Sequence, residues 1–245
     1  MYVQQSRELA IELGYKYVEP KLSDFITQSQ AVAINGKVAV HCWRGGMRSQ
    51  SFAKHLHENG FDEVFVIKGG YKAYRKFVLN TFSKQFKLSI IGGYTGSGKT
   101  NIIKQLQKRG FQAIDIEEIA KHKGSAFGAI ENVRQPSVEQ FENNMFDILR
   151  TFDAEKTIWL EDESHNIGKV CLPIQFYNQM KESPLYFIDI PKEERAKLLV
   201  AEYGNKDIRS LTDSINKISK RMDGQKVKEA HALLIEKKLY EVALL

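Results

Sequence analysis

The chain has 245 residues, 42% of them hydrophobic, with 36 Lys+Arg against 30 Asp+Glu and a formal charge of +6; that size and apolar content point to one large or two modest globular domains. Two cysteines, Cys42 and Cys171, are too few for a disulfide framework and lack paired zinc spacing, and no stretch reaches the roughly 18 consecutive apolar residues of a membrane span. The expectation is a reduced, cytoplasmic protein outside the membrane, whose moderate positive charge favours phosphate-rich partners.

In chain order, Val3 to Leu13 have helical spacing, and Tyr15 to Phe25, which holds Pro20, reads as a loop into another short element. Lys37 to Val40 is a short strand that stops at His41-Cys42; Gly45 and Gly46 open a loop, and Ser49 to His57 forms a helix. A second strand, Glu63 to Ile67, ends in Lys68-Gly69-Gly70, and Tyr71 to Phe82 is a basic, aromatic helix that joins two domains. The boundary falls near Ser83, dividing residues 1–82 from 83–245. Beyond it, the strand Phe86 to Ile91, a glycine loop, the helix Asn101 to Lys108 and a strand within Gly110 to Asp115 follow one another. Strands at Thr157 to Leu160 and Leu185 to Ile190 alternate with helices at Ser137 to Phe152, Lys192 to Tyr203 and Leu211 to Lys220, the pattern of a parallel α/β sheet.

The pattern G-x-x-x-x-G-K-[ST] is met in full by Gly93 to Thr100, between a predicted strand and a predicted helix. Gly93, Gly96, Ser97 and Gly98 let backbone N–H groups curl around a phosphate, Lys99 supplies a cation, and the Thr100 hydroxyl suits a magnesium ion. A metal-bound phosphate also needs a carboxylate at the end of a neighbouring strand, and Thr157 to Leu160 runs directly into Glu161-Asp162-Glu163. Which of the three faces the site is open, because a one-residue change of register swaps the strand face. Asp115 and Glu117 are further candidates for orienting a substrate, or helix-start acids that complement the dipole.

In His41-Cys42-Trp43-Arg44-Gly45-Gly46-Met47-Arg48-Ser49, a cysteine starts a five-residue loop closed by an arginine at the head of a helix. The helix N-terminus and Arg44 or Arg48 would stabilise a thiolate there and make it nucleophilic, and the same groups can hold an anion. Cysteine phosphatases and rhodanese-like sulfurtransferases both use such a loop. A phosphatase also wants an acid on another loop, and Asp24 and Asp62 have no distinctive setting. Cys171, among Val170, Leu172 and Pro173, reads as a packing residue.

The chain resembles tRNA 2-selenouridine synthases, a rhodanese-like domain followed by a P-loop domain. The resemblance rests on Gln4 to Arg7, Cys42 to Ser49, Gly69 to Lys72, the glycine loop, Gly124 to Gly128 with Ser125, Glu161 to Ser164, and Ile167-Gly168. It implies an enzyme that replaces the sulfur of 2-thiouridine at the tRNA wobble position with selenium from selenophosphate, through an S-geranylated uridine made with geranyl diphosphate. By the resemblance, Cys42 serves the selenium step, the glycine loop binds a diphosphate, and Ser125 joins the substrate-orienting candidates. Lys72, Tyr74, Arg75 and Lys76 suit a grip on tRNA or a solvated linker helix alike. The Asp-x-Arg strand and His-Ile-Pro-Gly-Ala stretch of a rhodanese-like domain do not occur before Cys42. The expectation is therefore an incomplete first domain, with a truncated chain or a separate chain completing it. The rival readings are a P-loop kinase or ATPase with a regulatory cysteine segment, and a non-catalytic tRNA-binding remnant.

Overall fold

The computed structural model describes residues 6–124 and 133–245, and the chain divides into two compact units, Met1–Phe77 and Val78–Leu245. The first unit opens with helix α1 (Arg7–Val18), capped by the Ser6 hydroxyl, which accepts from the Leu9 N–H, and continues through a 3₁₀ turn at Glu19–Lys21 into α2 (Leu22–Val32). The loop expected over Tyr15 to Phe25 is thus mostly helical. Pro20 sits in the first turn of the 3₁₀ segment, where its missing N–H costs nothing.

Strand β1 (Lys37–Val40), helix α3 (Met47–Glu58) and strand β2 (Glu63–Val66) form one parallel crossover, with Val40 paired to Val66. Val40, Ala53, Leu56 and Phe61 make its core, with Ile26, Phe52 and Val64 packed around them. The two-stranded sheet leaves Phe65 and Val66 exposed. Helix α4 (Gly70–Thr81) follows β2.

The second unit is built on a four-stranded parallel sheet of β3 (Leu88–Gly93), β4 (Gln112–Ile114), β5 (Ile158–Glu161) and β8 (Leu185–Ile188), in the order β4-β5-β3-β8. The central strand β3 reads as an unbroken buried run because helices cover both faces of such a sheet. Between β3 and β4 lies α5 (Lys99–Lys108); α6 (Ile116–Ala120) and α7 (Val138–Leu149) lead to β5. A hairpin of β6 (Asn166–Ile167) and β7 (Val170–Cys171), then α8 (Ile174–Glu182), precede β8. The chain closes with α9 (Lys192–Tyr203), α10 (Ile208–Ile218), α11 (Gly224–Ile235) and α12 (Leu239–Leu244). Their own small core is Leu211, Ile215, Ala230 and Leu234.

The hairpin, α8, α11 and α12 are absent from the sequence-based expectations. Two-residue strands carry no periodicity to read, and α8 opens on Pro173, a residue more often read as a break.

Candidate functional site

In the second unit β3 delivers the chain into the glycine loop, and α5 leaves it from Gly98, which sits at φ 79° as the helix N-cap. Gly96, at φ 81°, has no room for a side chain: an added Cβ would lie 2.8 Å from Leu199 Cγ and 2.9 Å from the Arg195 carbonyl oxygen. Helix α9 is therefore packed directly on the loop. Lys99 Nζ donates to the Gly93 carbonyl at 2.9 Å, and the Ser97 N–H donates to the Tyr94 carbonyl at 3.1 Å. The Ser97 hydroxyl is 2% exposed and has no protein partner, an expensive arrangement unless an anion or water completes it.

Strands β3 and β5 are neighbours in the register Ile91 to Glu161, which places the Glu161 carboxylate beside the first turn of α5. The Thr100 hydroxyl lies 3.2 Å from Glu161 Oε2 and 3.3 Å from Glu117 Oε2, with one proton to share between them. Glu117, Glu161 and Glu163 bring one carboxylate oxygen each to within 4.8 Å of one another. Burial, then the charges of Glu117, Asp115 and Glu163, push the Glu161 pKa up to about 8. Burial and Glu117 push Glu163 to about 7, and burial also raises Glu117. Oxygen ligands in this density, with a threonine hydroxyl among them, suit a hard divalent cation such as Mg²⁺.

Asp162, between the two inward glutamates, points the other way and pairs with Lys181 at 2.8 Å. Asp115 is 3% exposed and serves as the N-cap of α6, accepting from the Glu118 N–H at 2.8 Å, with Lys104 at 3.7 Å. Ser125 lies outside the described residues.

Two features escaped the sequence reading. Arg195 of α9 donates to the Thr95 carbonyl at 3.2 Å and covers the Tyr94 ring at 5.0 Å, so a cation stands over the glycine loop. Beside it a cavity of about 510 Å³ is lined by Thr95 and Gly124 together with side chains such as Leu199, Leu211, Ile215 and Leu234. No local motif announces such a cavity, since its walls come from separate helices.

In the first unit, the loop after β1 places Cys42, half-buried, at the head of α3. The Ser49 hydroxyl lies 3.4 Å from Cys42 Sγ and the Gly46 N–H donates to the sulfur at 3.2 Å. The thiol pKa falls to about 6, through the Ser49 hydroxyl first, against a smaller effect of burial, and through the Ser49, Arg44 and Gly46 amides. Arg44 therefore acts on the sulfur through its backbone N–H. Arg44 and Arg48 are both exposed. Ser49 was legible only as the residue after the closing arginine. Alkylation of Cys42 by iodoacetamide, followed against pH by mass spectrometry, is expected to inflect near pH 6, and Ser49→Ala to move that inflection toward the ordinary thiol range.

A phosphate-binding loop at the C-terminal end of a parallel sheet, facing converging carboxylates, defines the second unit as a P-loop domain; it follows a cysteine-loop unit of rhodanese-like form. The model of the tRNA 2-selenouridine synthase AAA domain matches residues 86–241, and that of the rhodanese-like domain matches residues 10–77. The chain belongs to the tRNA 2-selenouridine synthase AAA domain family. It is 36% identical over 216 residues to the tRNA 2-selenouridine synthase of Nitrosomonas europaea, covering 82% of this chain and 54% of that protein. It is 35% identical over 253 residues to that of Shewanella frigidimarina, covering 97% and 65%, and 32% identical over 250 residues to that of a Sulfurovum species, covering 93% and 67%. The chain thus spans about half to two thirds of the length of these relatives. None of these comparisons supports a separate chain completing the first unit. Among the described residues no helix is long and apolar enough to cross a membrane.

Proposed function

We propose that the chain carries out wobble-uridine selenation on tRNA, with the second unit holding geranyl diphosphate and the first unit acting at the selenium step. The observation that carries this reading is the apolar cavity that shares Thr95 and Gly124 with the phosphate-loop end of the second unit. A diphosphate on the loop amides, Lys99 and Arg195 would leave its substituent facing Leu199, Leu211, Ile215 and Leu234. Those walls suit a hydrocarbon tail and offer a nucleoside few hydrogen bonds.

In the first step the thione sulfur of 2-thiouridine attacks C1 of the geranyl group, the C–O bond breaks, and diphosphate leaves. Lys99, the loop amides and Arg195 stabilise the charge that develops on that leaving group. Thr100, Glu161 and Glu117 are the residues that would hold Mg²⁺, which supplies further neutralisation of the diphosphate when bound. In the second step the Cys42 thiolate attacks phosphorus of selenophosphate and the P–Se bond breaks; the hydroselenide released attacks C2 of the base, geranylthiolate departs and takes up a proton, and water cleaves the S-phosphocysteine to free phosphate. The amides around Cys42 and the exposed Arg44 and Arg48 suit the selenophosphate anion; a reducing, cytoplasmic setting keeps Cys42 from oxidising, and its lowered pKa keeps it a thiolate.

Nucleoside mass analysis of 2-thiouridine tRNA incubated with the chain, geranyl diphosphate and selenophosphate tests this directly. Selenouridine is the expected product, and its yield should fall without geranyl diphosphate. Thiouridine left untouched, together with rapid hydrolysis of ATP, would replace this reading with that of a P-loop ATPase.

A further inference from the structure

Four aromatic rings meet beside the Cys42 loop and have no part in the steps above. His41 stacks on Tyr71 with ring centroids 5.5 Å apart and planes 28° from parallel; Trp43 lies 5.8 Å and Tyr74 5.9 Å from the same ring. The group is tied to the loop by its backbone. The Tyr71 N–H donates to the Cys42 carbonyl at 2.9 Å, and the Lys72 N–H donates to the Trp43 carbonyl at 3.0 Å. Gly70, at φ 63°, is held so closely that an added Cβ would collide with the Cys42 carbonyl oxygen and the Gly45 nitrogen.

Trp43 is nevertheless 53% exposed. An indole fixed at the rim of a reactive thiol, rather than folded into the core, presents a flat apolar face outward. Its border is cationic: Arg44, Arg48, Lys68 and Lys72 are exposed, no Asp or Glu occurs from Cys42 to His57, and none occurs from Val64 to Ile114. Flat aromatic surface edged by cations, on segments that carry no carboxylate of their own, complements a nucleobase with its flanking phosphates.

We propose that Trp43 and Tyr71 form a stacking platform that receives an unpaired nucleobase of RNA and holds it next to the Cys42 sulfur. The inference rests on the tRNA reading above and adds the residues that seat the base. A base within a duplex has both faces covered, so the platform selects loops and splayed nucleotides over paired ones.

The test uses the full chain with Trp159→Phe, which leaves Trp43 as the remaining tryptophan of the two. Its emission is followed while titrating an anticodon stem–loop RNA carrying 2-thiouridine, and separately an RNA in which the same loop sequence is fully paired. The stem–loop should quench Trp43 in a saturable way and the duplex should not. Trp43→Ala should weaken stem–loop binding by about tenfold, and Trp43→Phe should recover most of it. Alkylation of Cys42 should still inflect near pH 6 in both variants, because Ser49 and the loop amides set that value. Stem–loop binding that neither changes Trp43 emission nor weakens in Trp43→Ala would overturn the platform and leave the RNA reading standing. Equal quenching by the duplex would also overturn it. Absence of any RNA binding would remove the RNA reading and the platform with it.

Discussion

Replacing Cys42 by serine is expected to bring selenouridine formation down by about a thousandfold or more, while S-geranylated uridine accumulates on the tRNA. A hydroxyl in place of the sulfur has a pKa far above neutrality, so neither the Ser49 hydroxyl nor the Gly46 amide can hold it ionised as they hold the thiolate. The glycine loop belongs to the other compact unit, and its chemistry should persist in Cys42→Ser. Lys99→Ala should do the reverse. With the cation that now sits 2.9 Å from the Gly93 carbonyl removed, loss of diphosphate stabilisation should slow geranylation by about a hundredfold, and thiouridine rather than its geranylated form should remain. Quantifying the three nucleosides by mass spectrometry in each variant separates the steps. If Cys42→Ser accumulates no geranylated uridine, the assignment of separate steps to the two units fails.

The second large effect concerns Glu161, which is fully buried against Glu117 and Glu163. Its folded pKa of about 8 lies above its ordinary value of 4.5, and Glu163, at about 7, shifts the same way. The sign follows from proton binding: a carboxyl whose pKa is raised in the folded state stabilises the fold fully below its unfolded pKa, and that contribution is lost as pH rises through the folded value. Without divalent cations the second unit should therefore lose stability between about pH 5 and pH 8, on the order of 2–4 kcal/mol. Glu161→Gln removes one buried charge while keeping the shape, so its melting temperature in EDTA should exceed that of the wild type at pH 8 and match it near pH 5. Magnesium should raise the wild-type melting temperature at pH 8 and affect Glu161→Gln much less. Parallel pH profiles of the two proteins in EDTA would show that the cluster is not strained by its own charge.

The glycine loop, its strand and helix, and the cysteine loop were legible in the sequence because each is local. The groups they would offer an anion are backbone amides of consecutive residues, so spacing alone from Gly93 to Thr100, and from Cys42 to Ser49, encodes the geometry. The alternation of strands and helices likewise pointed to the parallel sheet that the second unit contains. Convergence of carboxylates is another matter. Glu161 and Glu163 turn inward and Asp162 outward because β5 pairs with β3 in one register, and Asp115 is spent capping α6 while Glu117, two residues on, reaches Thr100. The same acids on a strand one residue out of register would have exchanged roles. The cavity beside the glycine loop and the ring group around Tyr71 are further from any local signal, since each is assembled from segments that are distant in the chain and meet only when their apolar faces are buried. What the sequence determined by itself is where the glycine loop and the cysteine loop lie. Which acids converge beside the glycine loop, and which surfaces flank the two loops, only the tertiary structure decided, because strand order and helix packing lie beyond the reach of nearest-neighbour pattern.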